Sequence, residues 1–432
     1  MSLEVRDPIH GAISVARDEV GVLDHPFVQR LRGIKQMGFS ELPFPGAVHS
    51  RYIHVVGVMH LAGRAFDAVF EEHSFSSEAK RESYRRCVRL AGLLHDLGHA
   101  PFSHCTEFAM PPLADLEVEA YGPEMASQER RASHEDYTIA ILTQSSLSRL
   151  IDETQPFTAL HVAALISRDV VVEDDFFVDQ GLNVRRVLSQ LVSSELDVDR
   201  LDYLGRDSYF SGAQYGPLDV HWLLSNLTLH EVEGDISLAV RRRSLYAFDD
   251  FMVARYHMFV MVYFHHKSVV FEEMLKRYFQ GPHCEYAIPA GVEAYREIDD
   301  VHLKAHLRGS ANSWARAVVD GYPWKRVLEL HGTPEEVDLD WAAKRLSSAG
   351  IDYLSAGSTG KFSRYTVFGQ KRETAPPIYV VDGSFTAAHP VVPLDQATAV
   401  FERYQDERRI SRLYVEPQNA QAAVDVIGTR PG

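Results

Sequence analysis

Residues 90–104, LAGLLHDLGHAPFSH, gather His95, Asp96, His99 and His104 at the end of an apolar run. An imidazole beside a carboxylate suits a first-row divalent cation. Gly98 and Pro101 predict that the helix carrying the pair stops near residue 98, with Gly98 as a left-handed terminator. His95 and Asp96 then lie in its last turns. Adjacent helical side chains diverge by about 100°, yet both can reach an ion over the groove between them. A His-Asp pair alone also describes a buried, hydrogen-bonded couple, so further ligands are required. The segment HSRYIH offers His54 at the start of an apolar helix, with Arg51 one turn earlier on the same face. The segment ELDVDRLDYLGRDSYFSG offers Asp199, with Tyr203, Arg206 and Asp207 along one helical face. An aspartate on an apolar helix is costly unless it is paired.

The elements that must position these groups are mostly helical. Apolar spacing near 3.6 residues runs through residues 20–280. Short alternating stretches interrupt it: GAISV after RDPIH, and NLTLHEVEGDISLAV, where Glu233-Gly234-Asp235 reads as a hairpin turn. Residues 110–133 are polar and proline-bearing and read as a long loop. After about residue 335 the texture changes to PIYVVDGSF, LDQATAVFERYQDERR and SRLYVEP, strand-like runs around a helix, and GSTGKF at 357–362 reads as a turn. The expected fold is mainly α, a helical body with short β-ribbons over residues 1–334 and a small α/β unit over 335–432.

The net charge of -16, from 44 basic and 60 acidic residues, disfavours a broad nucleic-acid or anionic-membrane surface. Three cysteines without CxxC spacing indicate neither a disulfide framework nor a thiolate metal site. No apolar run is long enough to span a bilayer, and the start MSLEVRDPIHGAIS has no export-signal pattern, so a cytoplasmic setting is expected. The 21 histidines exceed what packing or solubility requires.

Taken in order, RDPIHG, FVQRLRGIKQMG, FPGAVHSRYIH, AGLLHDLGHAPFSH and DVDRLDYLGRDS resemble the deoxynucleoside triphosphate triphosphohydrolases of the HD superfamily, the group that includes the SAM-and-HD-domain enzymes. The likeness covers roughly residues 4–280. It implies that His54, His95, Asp96 and Asp199 bind one divalent ion, with iron, manganese, zinc, nickel and magnesium all open, and that a second magnesium rides on the triphosphate. It implies attack at the α-phosphorus, with deoxynucleoside and intact triphosphate as products. His99, His104, His134 and Glu107 would surround that step, one histidine acting as proton donor. His134, in ASHEDYT, also reads as the first residue behind an N-cap Ser133. Glu107 stands where the family has an aspartate, and Arg200 where it has a lysine.

By the same likeness Arg51 and Arg200 approach phosphate, Gln36, Tyr203 and Asp207 face sugar and base, and Tyr256, Tyr263 and Lys267 project from one face of a later helix. Asp7, Gln29 and Arg32 match contacts to a GTP or dGTP activator, which implies a dimer or tetramer; the structural alternative makes Arg30 and Arg32 surface charges. Two competing functions remain: another HD phosphohydrolase, acting as nucleotide monophosphatase or phosphodiesterase, and a catalytically silent nucleotide-binding regulator.

Overall fold

The chain opens with an antiparallel hairpin, β1 (Leu3–Asp7) and β2 (Gly11–Val15), whose turn is tied by Asp7 Oδ1 accepting from Ile9 N and His10 N, both at 2.8 Å. The computed structural model describes residues 3–216, 218–232, 235–333, 336–360, 376–382, 390–403 and 408–428. Two antiparallel-packed helices, α1 (Arg51–Val69) and α2 (Glu78–Leu94), form the centre of the molecule. Ser77 Oγ caps α2 at Lys80 N, 3.1 Å. The first turns of α2 keep Arg81 and Arg85 outside, where both reach Asp67 of α1. Its second half is apolar and buried. A side chain at Gly92 would press on Ala62 Cβ and Val58 O, both at 3.2 Å, so the glycine permits the helices to cross closely.

Around this pair lie α3 (His134–Gln144), α4 (Ala159–Ile166), α5 (Arg185–Val192) and α6 (Val198–Ser211). Ser133 and Asp136 form a reciprocal capping box at the start of α3. Asp197 caps α6 by accepting from Arg200 N at 2.9 Å, and Gly212 at φ +73° ends it. The helices α7 (Leu245–Met258), α8 (His266–Gln280) and α9 (Asp300–Gly309) complete the body.

The hairpin read from NLTLHEVEGDISLAV is present as β5 (Leu227–Val232) and β6 (Asp235–Arg241), with Leu227 opposite Val240; Glu233 and Gly234 lie outside the described residues. Strands β3 (Val178–Asp179) and β4 (Leu182–Asn183) extend this sheet past β6. Farther along that same edge of β6, the one facing away from β5, β6 pairs in parallel with β9 (Tyr379–Val381), which pairs with β10 (Val392–Pro393). A separate antiparallel sheet, in the order β7 (Lys325–Gly332), β11 (Arg408–Val415), β8 (Tyr353–Gly360), is covered by helices at Asp340–Ser348 and Ala420–Ile427. Its small core contains Leu346, Leu413, Val415 and Ile427.

Several readings need correction. The α2 helix stops at Leu94, earlier than residue 98, and His95 is its C-cap. Gly98 is not left-handed; its backbone is needed for another reason given below. The 110–133 loop contains short helical turns at Leu113–Leu116 and Pro123–Ala126 and is pinned by bridges Pro112–Arg131 and Tyr121–Val170. Gly357–Gly360 of GSTGKF belongs to β8, while Lys361 and Phe362 lie outside the described residues. The helix expected over LDQATAVFERYQDERR is reduced to turns at Leu394–Ala397 and Val400–Arg403, with 404–407 outside the described residues. Residues 383–385 of PIYVVDGSF are likewise outside them. The small sheet draws its first strand from residue 325 onward. Among the described residues no helix is long and apolar enough to cross a membrane.

Candidate metal centre and active site

The ends of three helices meet at one point: His54 from the first turn of α1, His95 and Asp96 from the C-terminus of α2, and Asp199 from the first turn of α6. Asp199 Oδ1 lies 3.0 Å from His54 Nε2 and 3.4 Å from His95 Nε2. Asp96 Oδ1 lies 3.3 Å from His95 Nε2, and its Oδ2 3.7 Å from His54 Nε2. Each imidazole is fixed from its other nitrogen: His95 Nδ1 donates to Gly92 O at 2.9 Å, and His54 Nδ1 to Asp202 Oδ2 at 2.8 Å. Both Nε2 atoms are buried, have no hydrogen-bond partner and turn toward the two carboxylates. Two lone pairs and two carboxylates converging in this way fit a divalent cation.

The electrostatics agree. Burial opposes charge on His54, yet Asp199 and Asp202 hold its pKa up at about 10. His95 is also raised against its burial, by Asp96 and Asp199, and both of those carboxyl groups are held low. The point between these groups favours positive charge.

The HD turn is clamped from outside. Arg30 is buried: its guanidinium donates to Leu97 O at 3.1 Å, His99 O at 2.8 Å and Ile298 O at 2.7 Å, and lies over the Tyr295 ring. The surface-charge alternative for Arg30 therefore does not hold. Arg51, only 3% exposed, bonds Asp96 Oδ2 at 2.5 Å and Ser103 Oγ at 2.8 Å. Phe102 and Ser103 both adopt left-handed backbone, φ +60° and +59°, at about 1–3 kcal/mol each for non-glycine residues. Asp300 at the start of α9 holds this strained pair in place by accepting from Phe102 N at 2.6 Å and Lys35 N at 3.1 Å.

Beside the ion-binding point is a second cluster. The His99 and His134 rings stack at 4.1 Å, and His104 stands edge-on to both. His99 Nε2 is 3.2 Å from Asp96 Oδ1, which links the two clusters. Glu107 accepts from His134 Nδ1 at 2.8 Å and His134 N at 3.1 Å, and its other oxygen is 3.2 Å from His104 Nδ1. Burial drives the His99 pKa well down, with Arg51 and His134 adding to it, whereas Glu107 raises that of His134 against burial. The stacked histidines are thus pushed apart: one neutral, the other inclined to carry a proton. His134 is both the first residue of a capped helix and a member of this cluster.

Other expected positions divide. Asp207, on α6, accepts from His49 Nε2 and from Tyr263 OH, both at 2.8 Å; it does not pair with Arg206. Tyr203 lies near Tyr263, with ring centroids 6.4 Å apart. Gln36 presents a buried Oε1 without a partner. Tyr256, Tyr263 and Lys267 do not share one helical face: α7 gives way to a π-helical turn over Phe259–Tyr263, and Lys267 is exposed in the first turn of α8. Arg200 is buried and turns to Ser194 O and to Asp197 at 3.3 Å. Asp7 is committed inside the hairpin, its second oxygen taking Arg206 Nη1 at 2.8 Å, so it is not grouped with Gln29 and Arg32. Those two bond each other at 2.7 Å, with Arg32 over Tyr52. Three further neighbours of these groups have no marked local sequence pattern: His49, Asp202 and Arg255. The last is a buried cation bonded to Glu195 at 3.0 Å and felt electrostatically by Tyr203.

The HD domain family matches residues 51–205, the span that contains all four converging ligands, and the HD associated region matches 218–328. The chain carries an HD domain. This HD protein is 32% identical over 263 residues to an uncharacterized protein, YwfO, of Bacillus subtilis, covering 60% of this chain and 51% of that one. It is 28% identical over 377 residues to the deoxynucleoside triphosphate triphosphohydrolase SAMHD1 of Danio rerio, covering 82% and 59%, and 29% over 320 residues to that of Homo sapiens, covering 70% and 49%. The chain spans about half the length of the curated relatives it matches. Among solved structures, a hypothetical protein from Aquifex aeolicus shares the fold with a TM-score of 0.74 at 22% identity, covering 99% of this HD protein and 100% of that chain. A phosphohydrolase from Bacteroides thetaiotaomicron does so at 0.66 and 19%, covering 96% and 100%.

Proposed function

We propose that this HD-type phosphohydrolase cleaves deoxynucleoside triphosphates at the α-phosphorus, releasing deoxynucleoside and intact triphosphate. The observation that carries the reading is the pairing of an ion-binding point with an adjoining His99–His104–His134–Glu107 cluster, bridged by Asp96. When bound, a divalent cation supplies a nucleophilic water near neutral pH and charge neutralisation at phosphorus. His54, His95, Asp96 and Asp199 would hold it; manganese, iron, zinc, nickel and magnesium are all compatible with that donor set. His99, tied to Asp96 through Nε2, lines the approach to the phosphate. His134, whose pKa Glu107 raises against burial, delivers the proton that a departing 5′ alkoxide requires, with His104 on the same carboxylate. Asp207, held by His49 and Tyr263, faces the sugar, with Gln36 and Tyr203 nearby. A second magnesium accompanies the triphosphate. Gln29 and Arg32 offer a contact for a GTP or dGTP activator between subunits of a dimer or tetramer in the cytoplasm.

A second reading is favoured by one observation: Arg51 and Arg200, expected on phosphate, are spent on Asp96 and on Ser194 and Asp197. A site with fewer free cations suits a nucleotide monophosphatase or phosphodiesterase. Chromatography of products after incubation with Mn²⁺ or Mg²⁺ and each dNTP, alone and with GTP, separates the two. Deoxynucleoside plus triphosphate supports the first, and inorganic phosphate or pyrophosphate the second. Bound nucleotide without turnover would favour a silent regulator.

Glu107→Gln tests the proton-donor assignment. The neutral amide no longer favours a proton on His134, and turnover of a dNTP should fall about a hundredfold or more with ion content unchanged. With a nitrophenyl phosphodiester, whose leaving group needs no proton, the loss should largely disappear. Equal losses on both substrates would argue against the role.

A further inference from the structure

Asp202, one turn beyond Asp199 on α6, is 0% exposed and fully engaged. Its Oδ2 accepts from His54 Nδ1 and Arg206 Nε, both at 2.8 Å, and its Oδ1 from His10 Nε2 at 2.6 Å and Arg206 Nη2 at 2.9 Å. Arg206 is in turn held by Asp7 Oδ2 at 2.8 Å. Asp7 and His10 are the two ends of the β1–β2 turn, so a single tight turn grips the carboxylate that orients His54 from two directions. The route passes α1 at Gly57, where a Cβ would stand 2.0 Å from Asp202 Oδ1 and 2.4 Å from Arg206 Nη2. A glycine in mid-helix is unfavourable for the helix alone. Here it lets the Asp202–Arg206 pair lie against the helix that carries His54.

We infer that Asp202 is a positioning residue for His54 and that the N-terminal hairpin turn, through His10 and Asp7, is a structural part of the ion-binding centre. This rests on the ion-binding reading given above. The physical reason is the tautomer: a carboxylate at Nδ1 keeps the proton there and leaves Nε2 free for a ligand, and second partners of this kind commonly govern affinity. Coupling of this sort is reciprocal. If the hairpin holds His54, an ion on His54 must also stabilise the hairpin.

The test is Mn²⁺ binding to the full chain, wild type, Asp202→Asn and His10→Phe, together with amide hydrogen exchange over residues 3–15 with and without Mn²⁺. His10→Phe removes the donor and keeps a ring against His60, whose centroid is 5.6 Å away. It therefore keeps the test valid if Asp202→Asn does not fold. The expected result is about a ten- to hundredfold weaker affinity for Asp202→Asn, a smaller loss for His10→Phe, and slower hairpin exchange in the wild type when Mn²⁺ is present. A purely structural role would lower the thermal midpoint and leave the affinity of the folded variants unchanged. Wild-type affinity in the folded variants, or hairpin exchange indifferent to Mn²⁺, overturns the inference alone. A wild-type chain that binds no ion overturns the ion-binding centre and the inference with it.

Discussion

Replacing either His54 or Asp96 by alanine is expected to remove the bound ion and reduce turnover to background. The two changes should differ in what they do to stability. His54→Ala deletes one of the four hydrogen bonds to Asp202, and the three from Arg206 and His10 remain. The helical fold should persist with a modest loss. Asp96→Ala removes the partner of a buried Arg51, whose remaining hydrogen bond goes to the Ser103 hydroxyl. Leaving a buried guanidinium without its carboxylate costs about 3–5 kcal/mol, so this variant should also unfold earlier in denaturant. Elemental analysis of both purified variants is the check. Wild-type ion content in both would refute the assignment of the centre.

Gly98→Ala should be damaging to both stability and turnover. A Cβ at this position would lie 2.0 Å from His134 O and 2.5 Å from Thr138 N, both backbone atoms of the first turns of α3. Backbone cannot rotate away as a flexible side chain can. The two segments are tied at this point by Gly98 N donating to Thr138 Oγ1 at 2.9 Å, Thr138 Oγ1 donating to His95 O at 3.0 Å, and Tyr295 OH donating to Gly98 O at 2.6 Å. Relief requires α3 to back away, carrying His134 out of its stack on His99. Overpacking of this kind costs about 1–3 kcal/mol, and the displaced histidine should lower turnover in addition. Chemical denaturation and steady-state kinetics would show both effects together; an alanine variant with wild-type stability and rate would contradict the close approach.

His54, His95, Asp96 and Asp199 were legible because each lies in a short block whose apolar surroundings make a polar group conspicuous. Ser133 before His134 was legible as a cap because capping is a local rule. A glycine after a helix suggests a left-handed residue, but at Gly98 the packed α3 shows that close backbone approach is what it serves. The single face expected for Tyr256, Tyr263 and Lys267 failed because the π-helical turn breaks the 3.6-residue phase, and no local residue pattern announces it. His49 and Asp202 were invisible as partners since they meet groups 158 and 192 residues away in the chain. The RDPIHG block points Asp7 to a nucleotide only through family likeness, whereas both its oxygens are engaged within the fold.

The way the last hundred residues rejoin the body has its own consequence. Strand β9 lies directly against β6 in parallel, and β11 is the middle strand between β7 and β8. A fragment ending at residue 334 would therefore keep β6 and β7 while losing the neighbours that complete their main-chain ladders. Bare strand borders of this length invite pairing with other chains. Such a fragment could retain every converging ligand and still precipitate, so its failure in the test tube would speak about solubility rather than about chemistry.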